Sequence, residues 1–299
     1  MTDPLLRVEN LHKIYGGDKG LLGGTSHAVT AVDNVSFDIH SGEVLGLVGE
    51  SGSGKSTIGR LILRLEDASA GKVTFEGQDM SKLSASSLRT VRRRMQVVFQ
   101  DPYSSINPRM RIGRFVAEPL VIHGIGHSAA DRTDRVAELL KLVGLSPDFA
   151  KRYPHEFSGG QRQRICIARA IALDPIFLVA DEPITALDVS IQAQIINLFQ
   201  DLQERLGLAY LFIAHDLSMV RYLCRRVAVM LHGRIVELGD VDAVFDNPRH
   251  AYTKALLSSV PVPDPDVERN RVRIQYDAAS APAQDVKLTE VEPNHFVLV

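Results

Sequence analysis

The run Gly49, Glu50, Ser51, Gly52, Ser53, Gly54, Lys55, Ser56 fits the pattern G-x-x-x-x-G-K-[ST], and it restricts the fold more than any other stretch. Its glycines let the backbone curl until several N–H groups point into one concavity. Such a loop needs a strand before it and a helix after it. Glu43 to Val48 is a short apolar run behind the turn residues Ser41 and Gly42, and a helix is expected from Lys55 to about Leu65. The helix N-terminus adds a dipole that favours an anion. Lys55 then supplies charge to the β- and γ-phosphates of a nucleotide, and the Ser56 hydroxyl is a ligand for Mg²⁺. The predicted cradle runs from Gly49 to Thr57.

A phosphate loop of this kind needs a carboxylate elsewhere for the metal. Ile176 to Ala180 reads as a buried strand that delivers Asp181 and Glu182 at its C-terminal end. Asp181 is expected to orient Mg²⁺ through water, and Glu182 to act as general base or to position the attacking water.

The remaining pattern is α/β. Leu6–Leu11 and Ala31–Ile39 alternate as strands around a loop rich in glycine from Gly16 to Ser26. Gly71–Gly77 and Met95–Phe99 read as further strands, the second following the basic patch Arg89–Arg94. From Asp101 to about Phe157 the periodicity is helical, as an insert in the core. Beyond it Gln161–Leu173, Ile176–Ala180, Ile191–Leu206 and Ala209–Ala214 alternate helix and strand, which implies a mainly parallel sheet. Val227–Leu231 and Arg234–Leu238 read as a hairpin, and after Pro265 the chain becomes a loosely ordered polar tail.

Composition removes other classes. The formal net charge of -2 gives no basic surplus for a nucleic-acid partner. Cys166 and Cys224 are the only cysteines, far apart in apolar surroundings, so core thiols are expected rather than a disulfide framework or metal cluster. The start of the chain shows no signal-peptide pattern, and no apolar run reaches the roughly 20 residues of a spanning helix.

Ser158, Gly159, Gly160 and Gln161 are similar to the LSGGQ signature of ATP-binding cassette (ABC) proteins, with Phe157 where leucine is usual. Read physically, a hydroxyl and two bare glycine amides open a helix and form an anion site. The resemblance covers about Leu5 to Pro265 and implies roles for other positions. Gln100 falls at the Q-loop, contacting Mg²⁺ or water. Thr185, Ala186, Leu187 and Asp188 resemble the D-loop. His215 stands as the switch histidine, with Glu182 and Lys55 in catalysis, and Tyr15 as the aromatic that stacks on adenine. Ser158, Gly160, Gln161 and Asp188 join the nucleotide contacts. Of Arg162, Arg164 and Arg169, most read as surface residues, with one available to position phosphate.

The resemblance implies a P-loop ATPase core with an N-terminal antiparallel β subdomain and a helical subdomain. The core is expected over 5–100 and 158–240, the insert over about 101–157 and an extension over 241–299. Val98–Pro108, Tyr153–Ile165, Pro248–Leu256 and Val260–Pro265 are similar to the ATP-binding subunits, F type, of bacterial oligopeptide/dipeptide permeases. That branch implies an ATPase serving import of oligopeptides or dipeptides, with nickel, glutathione or sugar as other cargoes. It also implies two transmembrane permease subunits, a second cassette, sister or identical, and an extracytoplasmic solute-binding protein. The expected place is the cytoplasmic face of the cell membrane. Some relatives carry a cysteine-ligated iron–sulfur cluster near the C-terminus. No cysteine follows Cys224, so none is expected here. Non-transport cassettes with long insertions or two cassettes per chain fit poorly.

Overall fold

The computed structural model describes residues 3–16, 28–185, 187–215, 217–260, 268–269, 272–277 and 286–299. Most of the glycine-rich loop after Tyr15, Ala186 and the Val260–Pro265 motif beyond its first residue lie outside them.

In chain order the strands are β1 (Leu6–Tyr15), β2 (Val29–Ile39), β3 (Val44–Val48), β4 (Ala70–Phe75), β5 (Gln78–Asp79), β6 (Met95–Val98), β7 (Phe177–Asp181), β8 (Ala209–Ala214), β9 (Arg226–Leu231), β10 (Arg234–Asp240), β11 (Leu288–Glu292) and β12 (His295–Leu298). The helices are α1 (Lys55–Ile62), α2 (Ala85–Arg94), α3 (Pro102–Ser105), α4 (Ile112–Ile122), α5 (Ala129–Leu142), α6 (Gly159–Ala170), α7 (Val189–Leu206), α8 (Leu217–Leu223), α9 (Val241–Asp246) and α10 (Ala251–Ser258). None of these is long and apolar enough to cross a membrane. The chain divides into two compact units, residues 1–82 with 212–299, and residues 83–211.

In the first unit β1 pairs antiparallel with β2 and β4, setting Leu6 opposite Ile39 and Phe75, and Val8 opposite Phe37 and Val73. These apolar residues are buried while Arg7 and Glu9 face out, the period-two division of a half-covered sheet. A second sheet runs in the order β11, β12, β10, β9, β3, with β3 parallel to β9 and the other pairs antiparallel. All five residues of β3 are buried, which explains its unbroken apolar sequence. Within this unit the sheet is mixed, because β10, β11 and β12 add to it antiparallel. The end of the chain, read from sequence as a loosely ordered tail, holds a hairpin in residues 288–298 that pairs Val297 with Glu237.

In the second unit β6 lies parallel to β7, aligning Met95 with Phe177, and β8 flanks β7. The basic patch read ahead of β6 is the last part of α2, which Ser84 caps by accepting from Ser87 N. Between β6 and β7 the chain is helical, with α3, α4, α5 and α6 in succession. Helix α7 buries Ile195, Ile196, Leu198, Phe199 and Leu202, one stripe at helical spacing. It stops where Gly207 takes the left-handed conformation.

Candidate functional site

Within the first unit, β3 ends at Val48 and the phosphate loop begins at once. Gly49 has φ 149°, and a Cβ there would lie 2.1 Å from the Met230 carbonyl oxygen at the end of β9. Only glycine fits, because that contact is backbone and cannot retreat like a side chain. Gly233 N, in the β9–β10 turn, donates to Ser53 O at 3.0 Å and closes the loop against that hairpin. Lys55 is 4% exposed. Its ammonium folds back over the loop, donating to Gly49 O and Glu50 O, each at 2.8 Å. The Ser53 Oγ is buried, with no hydrogen-bond partner among the described residues. A buried hydroxyl in that condition fits a loop shaped around a ligand oxygen.

Tyr15 is half exposed at the end of β1, with the Lys13 ammonium 4.9 Å from its ring centroid. Its phenol donates to Glu66 and also interacts with Thr57 on α1, so two predicted nucleotide contacts touch. Partial burial, then the Glu66 carboxylate, raises the phenol pKa, which keeps the ring neutral. His215 follows β8 and is exposed.

Within the second unit β7, wholly buried, carries Asp181 to its last position, where the side chain remains buried. Glu182 follows with φ 46°, a turn into the left-handed region that re-aims the chain at the strand end. Its Oε2 accepts from Gln100 Nε2 at 2.9 Å and from Thr185 Oγ1 at 3.4 Å. Glu182 and Gln100, 82 residues apart, therefore meet through the β6–β7 pairing. Thr185 is the member that sequence reading placed only as part of a loop.

The signature forms the start of α6. The Ser158 Oγ accepts from Gln161 N at 3.3 Å, and Gln161 Oε1 accepts from Ser158 N at 3.1 Å. This reciprocal cap leaves Gly159 and Gly160 as the first helical residues. A Cβ on Gly160 would fall 2.4 Å from Ile191 Cγ2, so the glycine lets α7 approach the signature. Gln192 Nε2 donates to Leu187 O at 3.0 Å and Ile184 O at 3.2 Å, pinning the segment that ends at Asp188. Asp188 is exposed at the N-cap of α7. Polar residues on a helix give no sequence signal for this role, and Gln192 was not found.

The three arginines after the signature are engaged inside their own unit. Arg162 donates to Pro154 O and lies 4.2 Å from the Tyr103 ring centroid. Arg164 donates to Val143 O, and Arg169 pairs with Glu118 at 2.8 Å. They tie α6 to the helices that precede it in the chain. Phe157 is buried against the edge of Phe149, so the apolar character of that position matters more than its shape.

Two family models match. Residues 32–185 match the ABC transporter model, and residues 236–284 the oligopeptide/dipeptide transporter C-terminal region. The chain is 53% identical to the oligopeptide transport ATP-binding protein OppF of Bacillus subtilis (strain 168), over 100% of this chain and 97% of that protein. The chain belongs to the ABC transporter family. This cassette is also 52% identical to the dipeptide transport ATP-binding protein DppF of Lactococcus lactis subsp. cremoris, over 99% of this chain and 95% of the other. Among solved structures, a dimeric post-hydrolysis state of the ATP-binding cassette MJ0796 bound to ADP and Pi matches at TM-score 0.70 and 29% identity. It covers 79% of this chain and 98% of its own. The structure of cbiO1 from Clostridium perfringens, part of the ABC transporter complex cbiONQ, matches at TM-score 0.71 and 26% identity, covering 85% of this chain and 96% of that one.

Among the described residues no group of three or more His, Cys, Asp or Glu side chains gathers as a metal site. Mg²⁺ asks for less, because it keeps waters and takes one or two protein oxygens beside substrate phosphates. The buried Asp181 carboxylate and the half-buried Ser56 hydroxyl are hard oxygen donors of the kind it takes.

Proposed function

We propose that this cassette hydrolyses ATP to drive a peptide importer. The observation that carries the hydrolytic reading is the carboxylate of Glu182 held by Gln100 and Thr185 directly after a strand that ends in a buried aspartate. Likeness to OppF and DppF, together with the C-terminal region over residues 236–284, supports oligopeptides or dipeptides as the cargo.

In this reading the loop from Gly49 to Thr57 binds the phosphates. The Lys55 ammonium keeps the Gly49 carbonyl with one of its three donors and turns the other two to β- and γ-phosphate oxygens, gaining charge-assisted contacts. Tyr15 offers its ring to adenine. Ser56, Asp181 and Gln100 would hold Mg²⁺, which when bound neutralises charge on the phosphates. Glu182 orients the attacking water and takes its proton, with the Gln100 and Thr185 bonds fixing the carboxylate until then. His215 contacts the γ-phosphate. The signature residues Ser158, Gly160 and Gln161, with Asp188, complete the phosphate site of a second cassette, so hydrolysis depends on association. Two permease subunits and a solute-binding protein make up the rest of the importer, which places this chain at the cytoplasmic face of the membrane.

The test is Glu182→Gln. ATP affinity is expected to stay near that of the unaltered chain while turnover falls about a hundred-fold or more, the scale of a lost general base. Undiminished turnover would remove Glu182 from the role. Membrane co-purification with mass spectrometry tests the partners: absence of permeases would overturn the transport reading.

A further inference from the structure

The peptide unit joining Gly49 to Glu50 is gripped at both its polar ends. Its carbonyl oxygen accepts from the Lys55 ammonium at 2.8 Å. Its N–H donates to the Tyr252 phenolic oxygen at 3.1 Å, a contact between residues 202 positions apart. Gly49 has no side chain and its φ of 149° is open to glycine alone, so local sterics do little to choose the orientation of this peptide. If the plane turned over, its carbonyl would leave Lys55 and its N–H would face a cation. The tyrosine contact opposes that turn.

Tyr252 is itself well anchored. It is 2% exposed on α10, where Tyr252 N donates to His250 Nδ1 at 3.1 Å. Glu237 on β10 is 0% exposed and accepts from Arg249 N at 2.8 Å, His250 N at 3.0 Å and His295 Nε2 at 2.7 Å. The Tyr276 ring meets the Tyr252 ring edge to face at 5.4 Å between centroids. Burial pushes the Tyr252 phenol up to about 12, so it is neutral near pH 7 and offers lone pairs to the Glu50 amide.

We propose that Tyr252 is a positioning residue for the phosphate loop: by accepting the Glu50 N–H it fixes the Gly49–Glu50 peptide, and through that carbonyl it sets where Lys55 presents its charge. The inference rests on the nucleotide reading above. It gives the C-terminal region a part in nucleotide affinity, transmitted from α10 to the loop through one hydrogen bond.

The test uses the full chain and a ribose-labelled fluorescent ATP. Tyr252→Phe removes only the hydroxyl and is expected to weaken binding about 3- to 10-fold, the scale of one lost hydrogen bond. In a Lys55→Ala background the same change is expected to cost nothing further. An unchanged affinity with Lys55 present, or an equal loss in both backgrounds, would overturn the inference, since a general packing defect would act with or without the lysine. Should Tyr252→Phe not fold, amide hydrogen exchange in the unaltered protein decides. Protection of the Glu50 N–H supports the contact, and exchange at the open-chain rate refutes it. Failure of the unaltered chain to bind the labelled ATP overturns the functional reading itself and this inference with it, a result distinct from the variant data.

Discussion

A methyl group on Gly160 would press within 2.4 Å of Ile191 Cγ2, in a place where helix packing leaves little slack. Gly160→Ala is therefore expected to cost about 1–3 kcal/mol, measured by denaturant unfolding, and to lower turnover by displacing the signature. Unfolding unchanged from the parent would show that Ile191 can move aside. Sequence reading found Gly160 because its spacing belongs to a local motif. It missed Tyr252 and Gln192 as site supports, since each acts through a partner brought near only by folding. Cys166 and Cys224 are buried as expected, and burial pushes the Cys166 thiol up to about 12.

Among the elements, the start of α6 shows how one residue serves two ends. Ser158 caps the helix as Gln161 reaches back to it, while the intervening Gly159 and Gly160 amides have no acceptor within the helix and are the ones offered to phosphate in the proposed reading. Ser158→Ala is expected to lose about 1 kcal/mol of stability by leaving an N–H at the helix end unpaired. Loss of turnover well beyond what that cost explains would mark a direct contact with nucleotide; Ser158→Thr, which keeps the cap, is the control. Elements with a strong local pattern were readable: β3 and β7 as apolar runs, α7 by its stripe, the β9–β10 hairpin by His232 and Gly233. Those lacking one were not. Strand β12 is four residues long, and its pairings with β10 and β11, not a local pattern, make it a strand.

Taken whole, the molecule's dependence on pH follows from groups that burial has shifted. The His250 imidazole lies below its ordinary 6.5, mainly through burial, with the Glu237 charge opposing. His123 is lowered likewise by burial and then by Arg89 and Arg93. Both take up a proton more readily unfolded, so stability is lost as pH falls below about 6.5. On the alkaline side Cys166 and Tyr252 rise from 9.0 and 10.0 to about 12 each. They hold their protons more tightly when folded, and stability is lost as pH rises from about 9 toward 12. Thermal unfolding across pH is expected to show a plateau between these limits; a maximum outside it would mean other groups dominate.

The first unit is assembled from both ends of the chain, residues 1–82 and 212–299. On a ribosome adding about 5–20 residues per second, β3 emerges well before β9 exists to pair with it. An interval on the order of ten seconds separates them. Throughout that wait the phosphate loop has no Met230 or Tyr252 to shape it. The nucleotide cradle is thus completed long after its own sequence has been translated.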